Sequence, residues 1–254
     1  MLKKNYLSRT EQEVWEYIKD KEFLDNELVE SIFPEMGQNK RNKLLHSLYK
    51  KGYIKRAIKD VYYNPKNLKS FHRLALRIHP GYLGLSSALR FYNLLDYEDF
   101  TIFVITEDFR KTIRLEQYDI RYIPFDDLFI GFVKKDDINV SSVEKTLFDC
   151  LLKPSLVGFS NISKAIFDAR PNWDDLLSFF ELKKNHALCQ RTGYILDLLK
   201  SRTKLKIPSS VFDRLLSYVK NPVKLHPGKG KSLYNQKWKV QDNLGEQNIL
   251  SWWY

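Results

Sequence analysis

The stretch 37-GQNKRNKLLHSLYKKGYIKRAIKDVYYNP-65 decides how the first part of the chain is read. Leu44, Leu45 and Leu48 fall within about 100° of one another on a helical wheel, which predicts a helix from Gln38 to Lys51 ended by Gly52. YIKRAI and VYYN then form two short β-prone runs joined at Lys59-Asp60, a hairpin-sized connection. Upstream, TEQEVWEYIKD (10–20) places Thr10 and Glu13 at capping-box spacing and carries Val14, Trp15 and Ile18 as an apolar stripe. Asp25 is placed to cap a second, shorter helix with Leu28, Val29 and Ile32 inward and Pro34 as its stop. Three helices followed by a two-stranded ribbon is the order of a winged helix-turn-helix.

Charge gathers on the same stretch. Residues 1–36 carry five bases and nine acids, whereas residues 37–70 carry ten bases and one acid, Asp60. The other 184 residues contribute 27 bases and 21 acids, so one short block supplies most of the net +11. Clustering of this kind is the footprint of phosphate-backbone binding. The polar face of the third helix holds Asn39, Asn42, Lys43, His46, Ser47 and Lys50. Amides and lysines suit base edges, and lysines and hydroxyls suit phosphate. We therefore read Asn39, Asn42, Lys43 and His46 as base-reading residues, and Ser47, Lys50, Lys55, Arg56 and Lys59 as phosphate-binding residues. Arg41 falls near the apolar side, to pack or to point sideways. An ordinary exposed helix mixes signs through i,i+4 pairs; this one has no acid between Glu35 and Asp60.

From residue 71 the character changes. PGYLGLSSALRFYNLL reads as a turn and a helix with Leu85, Ala88, Leu89 and Tyr92 inward. FTIFVIT, RYIPF and LFIGFV read as strands, and SSVEKTLFDCLLKP as a helix capped by Ser141 or Ser142 and stopped by Pro154. Beyond 160 the pattern is helical (ISKAIFDA, WDDLLSFFELKK, ALCQRTGYILDLLK, SSVFDRLLSYV), broken by Pro171, Asn185 and Pro208, before an aromatic tail. The expected class is α+β in three parts: a DNA-binding domain at 1–70, an α/β module at 71–153 and a mainly helical region at 154–254.

Catalytic and metal signatures are thin. The five histidines never stand at i,i+3 or i,i+4 to each other, and neither HExxH nor CxxC occurs, so no metal or cofactor is expected. HPGKGKSLY holds Gly230-Lys231-Ser232 but has Leu225 where a phosphate loop needs its first glycine. Cys150 lies among leucines and a phenylalanine and reads as a small apolar residue. Glu107-Asp108 and Asp126-Asp127 follow predicted strands and are the nearest approach to a nuclease metal site. Two cysteines make no disulfide framework, the N-terminus shows no apolar signal core, and no apolar run nears the roughly 18 residues of a membrane span. A soluble cytoplasmic protein is expected.

The middle segments carry a resemblance. PGYLGLSSALRFYNLL resembles the Y-h-S-h-x-S-A-L-x-x-h-G-L segment (h, apolar) of the AbiEi-type antitoxins of abortive-infection systems. FVITEDFRKTIRL and IPFDDLFIGF follow in the family's order, and SSVEKTLFDCLLKP is similar to its S-P-E-K-A-L-L-D-L-L helix, with Glu144, Lys145 and Asp149 in register. QRTGYILDLL and YNQKWKVQDN are similar to later segments, and LYKKGYIKRAIKDVYYNP to the family's third helix and wing. Val143 stands where proline is usual, and Lys59-Asp60 replaces a frequent Arg-Gly wing turn. The resemblance implies a cytosolic antitoxin, not an enzyme, whose winged helix binds double-stranded operator DNA and represses its own operon. It also implies opposition to a nucleotidyltransferase-type toxin. Two other readings stay open: a transcription factor whose α/β module senses a small ligand, and a metal-dependent nuclease using Glu107, Asp108, Asp126 and Asp127.

Overall fold

Ser8 and Glu11, not Thr10 and Glu13, cap the first helix in the computed structural model, which describes residues 6–97, 99–228, 230 and 232–254. The Glu11 amide donates to the Ser8 hydroxyl, and the Ser8 amide donates to the Glu11 carboxylate at 2.6 Å. Both halves of an S-x-x-E box are thus made. Glu11 also receives Ser47 and Lys51 from elsewhere in the fold, which fixes it in the capping position.

Helix α1 (Arg9–Ile18) is followed by β1 (Phe23–Leu24), α2 (Asn26–Ile32), α3 (Gln38–Lys50), β2 (Lys55–Ile58), β3 (Val61–Tyr63) and α4 (Phe71–Ile78). Asp25 caps α2 as expected, accepting from the Leu28 amide at 3.0 Å. The strands pair antiparallel in the order β1-β3-β2, with Phe23 opposite Tyr63 and Arg56 opposite Tyr62. Asp60 turns the β2–β3 hairpin at φ 65°, a left-handed conformation that aspartate tolerates better than most residues. Val14, Ile18, Leu24, Val29, Leu45, Leu48 and Ile54 are buried together beneath these elements.

The chain then runs through β4 (Tyr82–Leu83), α5 (Leu85–Phe91), β5 (Thr101–Thr106), β6 (Lys111–Leu115), β7 (Tyr118–Pro124), a 3-10 turn (Asp126–Leu128), β8 (Phe132–Lys135) and β9 (Ile138–Ser141). These strands form a six-stranded mixed sheet in the order β6-β7-β5-β4-β9-β8. β5 and β7 are parallel, with Ile102 opposite Ile120 and Val104 opposite Tyr122. The strand expected over LFIGFV starts only at Phe132. Leu128 still belongs to the 3-10 turn, and Gly131 (φ 71°) takes left-handed backbone that a strand cannot include.

Helices α6 (Val143–Leu152), α7 (Pro154–Val157), α8 (Phe159–Ala169), α9 (Trp173–Lys183), α10 (His186–Arg202) and α11 (Ser209–Leu216) follow. Helix α6 ends at Leu152, ahead of Pro154 as expected, and Pro154 then opens α7, because proline suits a first helical turn. The tail turns to short strands: β10 (Val223–Lys224), β11 (Leu233–Asn235) and β12 (Val240–Asp242) make a small sheet in the order β10-β12-β11, followed by α12 (Glu246–Ile249). Trp252 docks by donating its indole N–H to Ser163 at 2.8 Å and packing on Phe167, whereas Tyr254 is exposed.

The chain forms two compact units where the sequence suggested three parts. One runs to Pro80 and includes Ile113–Tyr118, the tip of the β6–β7 hairpin; the other comprises Gly81–Thr112 and Asp119–Tyr254. Helix α4 carries the first unit past residue 70, since Arg73 bonds Glu22 at 2.9 Å and Arg77 pairs with Asp25. No boundary falls at 153: Phe148 on α6, Ile166 on α8, Ile195 on α10 and Trp238 belong to one buried cluster. The protein is mixed α+β.

Candidate nucleic-acid interface

Helix α3 is amphipathic in the sense the leucine spacing requires. Leu44, Leu45 and Leu48 are buried, and so is Arg41. The Arg41 guanidinium donates to the Met36 carbonyl and pairs with Glu30 at 3.1 Å, so this cation holds the turn before α3 and is not offered to solvent. On the opposite side Asn39, Asn42, Lys43, His46 and Lys50 are all exposed. Gln38 is exposed as well, at i−4 from Asn42, a spacing that puts it on the same face; the sequence reading passed over it. At about 1.5 Å per residue, the helix offers a face roughly 20 Å long.

Two of the expected residues on α3 are already engaged. Ser47 is half-buried and donates its hydroxyl to Glu11 at 2.5 Å, while Lys51 donates to the same carboxylate at 2.5 Å. Lys51 and Ser47 hold the Glu11 carboxyl at about 2, well below the usual 4.5, against the opposing effect of burial. Ser47 thus serves the junction of α1 and α3. Asn42 accepts from the Asn26 amide at 2.5 Å, which fixes its side chain at the α2–α3 junction and leaves its own amide N–H groups free of that bond.

The β2–β3 hairpin carries Lys55, Arg56 and Lys59, all exposed. The Arg56 Nε–H donates to the Ile58 carbonyl at 3.1 Å, and its guanidinium lies 5.9 Å from the centre of the Tyr62 ring. Lys55 forms an ion pair with Glu116 at 2.8 Å, and Tyr63 donates to the same oxygen at 3.0 Å. Lys55, followed by Tyr63, holds the Glu116 carboxyl below its ordinary range. Lys59 has neither constraint and stands beside Asp60 at the turn.

The other sequence candidates do not assemble. Glu107 and Asp126 are joined only through backbone, the Asp126 amide donating to the Glu107 carbonyl at 2.9 Å, and all four carboxylates are exposed. Among the described residues no three His, Cys, Asp or Glu side chains are grouped to hold a metal ion. Cys150 and Cys189 are free and buried, and burial pushes both thiols up, Cys189 to about 12. Lys231, of the glycine-rich run, lies outside the described residues, as do Lys3 and Lys4. No helix among the described residues is long and apolar enough to cross a membrane.

Fold and site together define a mixed α+β protein with a basic, acid-free helix face. No protein-family model matches the sequence, and no curated protein matches it. The chain is similar in fold to the crystal structure of the RV2827C protein from Mycobacterium tuberculosis, at a TM-score of 0.68 and 14% identity over 98% of this chain and 96% of that one. At that identity the likeness is one of fold.

Proposed function

We propose that the first unit is a winged helix-turn-helix that binds double-stranded operator DNA through α3 and the β2–β3 hairpin. The protein then acts as a cytoplasmic antitoxin of an AbiE-like system, repressing its own operon and opposing a nucleotidyltransferase-type toxin. One observation carries the DNA reading: Asn39, Asn42, Lys43, His46 and Lys50 share the exposed face of α3, with no acid on that helix. Lysines there can neutralise phosphates, and the amides and Lys43 can address base edges in the major groove. Lys59 and Arg56 are placed on a hairpin, where a wing makes backbone or minor-groove contact. The antitoxin part is supported by the resemblance of the α5 and α6 segments and of the strands between them.

The test is binding to the DNA upstream of the protein's own gene, against random DNA, over a salt series. Selective binding with a steep salt slope is expected, with a Lys43→Ala/Lys50→Ala variant losing most of it. Equal binding to both DNAs, or a variant as good as wild type, would overturn it. Co-expression with a nucleotidyltransferase-like protein encoded beside it tests the antitoxin part: growth should be rescued by the whole protein and by the lysine variant alike.

A further inference from the structure

We propose a second anion site in the second unit, a cleft of about 280 Å³ lined by Phe167, Arg170, Trp173, Lys204, Leu205 and Lys206, that takes a nucleotide. Neither the DNA reading nor the resemblance involves it. Its chemistry comes from two short connections. Arg170 is the C-cap of α8 and takes a left-handed backbone (φ 45°), and Pro171 and Asn172 then start α9 with Trp173 as its first residue. Facing it, Lys204–Lys206 runs without helix or strand, and alternation does the sorting: Leu205 and Ile207 are buried, so Lys204 and Lys206 both project outward.

The cleft therefore presents three cations and two half-buried rings, with no acid in its lining. Among the described residues, none of the three cations has a carboxylate partner, whereas the nearest acids in sequence are taken. Asp168 is held by Lys164, and Asp174 by Arg214 at 2.6 Å. A planar guanidinium and two ammonium groups suit a phosphate dianion, the first as a two-pronged donor. Phe167 is backed by Trp252 and Trp253 at ring separations of 5.1 and 5.3 Å, which fixes it in place. Trp173 offers a second ring. Aromatic faces beside cations are what a nucleobase with its phosphate needs. The group could be a free mononucleotide or the end of a single strand; phosphate plus base is common to both.

Calorimetric titration of the whole protein with AMP, adenosine, inorganic phosphate and a five-nucleotide single strand tests this. AMP should bind at least about tenfold more tightly than phosphate or adenosine alone, because cations and rings act together. A Lys204→Ala/Lys206→Ala variant and Arg170→Gly should each weaken AMP about tenfold or more. Glycine suits the left-handed backbone at 170, so that variant keeps its fold, which the melting curve checks. Trp173→Leu should bring AMP down to the affinity of phosphate. A strand that competes with AMP and is lost in the same variants makes a chain end the source; a strand that binds without displacing AMP makes the free nucleotide the source. No AMP binding up to about 10 mM, or binding unchanged in all three variants, overturns the site. So does a strand that loses affinity only in Lys43→Ala/Lys50→Ala, with AMP not binding.

Discussion

Lys145 and Asp149 stand one turn apart on α6 as a charge pair, with neither side chain reached by solvent. The Tyr82 hydroxyl closes the group: Lys145 donates to it at 3.1 Å, and it donates to Asp149 at 3.5 Å. Rings of Tyr82, Phe125, Phe148 and Phe179 surround the ammonium at 5.6, 5.0, 5.6 and 5.9 Å. Burial pulls both groups toward neutrality, raising the Asp149 carboxyl and lowering the Lys145 ammonium, while each partner opposes that pull on the other. Lys145 and Asp149 thus tie α6 to β4 through Tyr82.

Removing one partner should cost more than removing both. Lys145→Met leaves a buried carboxylate with a single weak donor, and should destabilise the protein by about 3–5 kcal/mol in urea unfolding. Lys145→Met/Asp149→Leu fills the same space with apolar groups and should recover most of that loss. A double variant no more stable than the single one would mean the pair does not act as a unit.

Glu11 gives a pH dependence with a defined sign. Its folded pKa of about 2 lies below the ordinary 4.5, so its contribution is complete above roughly pH 5 and is lost as pH falls toward 2. Glu11→Gln should lose about 1–3 kcal/mol at pH 7, through the cap, the Ser47 bond and the Lys51 pair. The gap between wild type and variant should then narrow as pH drops from 5 to 2. A gap that stays constant over that range would show that the Glu11 charge contributes nothing.

How much of this could be read in advance depends on the range of the interaction. The leucines of α3 put Arg41 near the apolar side by angle alone, and the structure buries it there. Asp25 and Ser142 announce helix starts because a cap acts over three residues, and Asn185, read only as a break, caps α10. The strands β4 and β10–β12 carry no usable period, since each has two or three residues. Their existence depends on partners such as Val140 for Leu83 and Val240 for Val223. At the candidate interface the same limit applies: Ser47 is committed to a carboxylate 36 positions away, and Lys55 to one 61 positions away. A helical wheel separates inside from outside, and it cannot show which outside residue is already taken.

Arg41 and Lys43, two positions apart, should separate stability from recognition. Arg41→Ala leaves the Met36 carbonyl and Glu30 without their donor, and should cost about 1–3 kcal/mol of stability. Lys43→Ala should leave stability within about 0.5 kcal/mol. On the proposed reading, Lys43→Ala weakens operator binding by about 1–3 kcal/mol and relaxes selectivity at one position. Lys50→Ala instead weakens all sequences alike and lowers the salt slope by about 1. Unfolding curves and titrations on operator and random DNA read both effects. Equal losses on the two DNAs for Lys43→Ala would remove it from base readout.

Gly193 lies in the middle of α10, where glycine costs about 1 kcal/mol relative to alanine. Its use has a physical cause. A Cβ at this position would come within 2.1 Å of the Trp238 ring, and that ring is fully buried with its N–H donating to Asp197 at 2.8 Å. The helix and the small C-terminal sheet can approach only because position 193 has no side chain. Gly193→Ala should therefore destabilise the protein despite its better helix propensity, by about 1–3 kcal/mol or more, because the indole must leave its place. Unfolding in urea and the near-ultraviolet circular dichroism of the tryptophans would follow this. Gly193→Ala/Trp238→Leu should lose less than the sum of the two single changes, since the smaller side chain removes the collision. A stabilised Gly193→Ala would mean that this contact does not set the packing of α10.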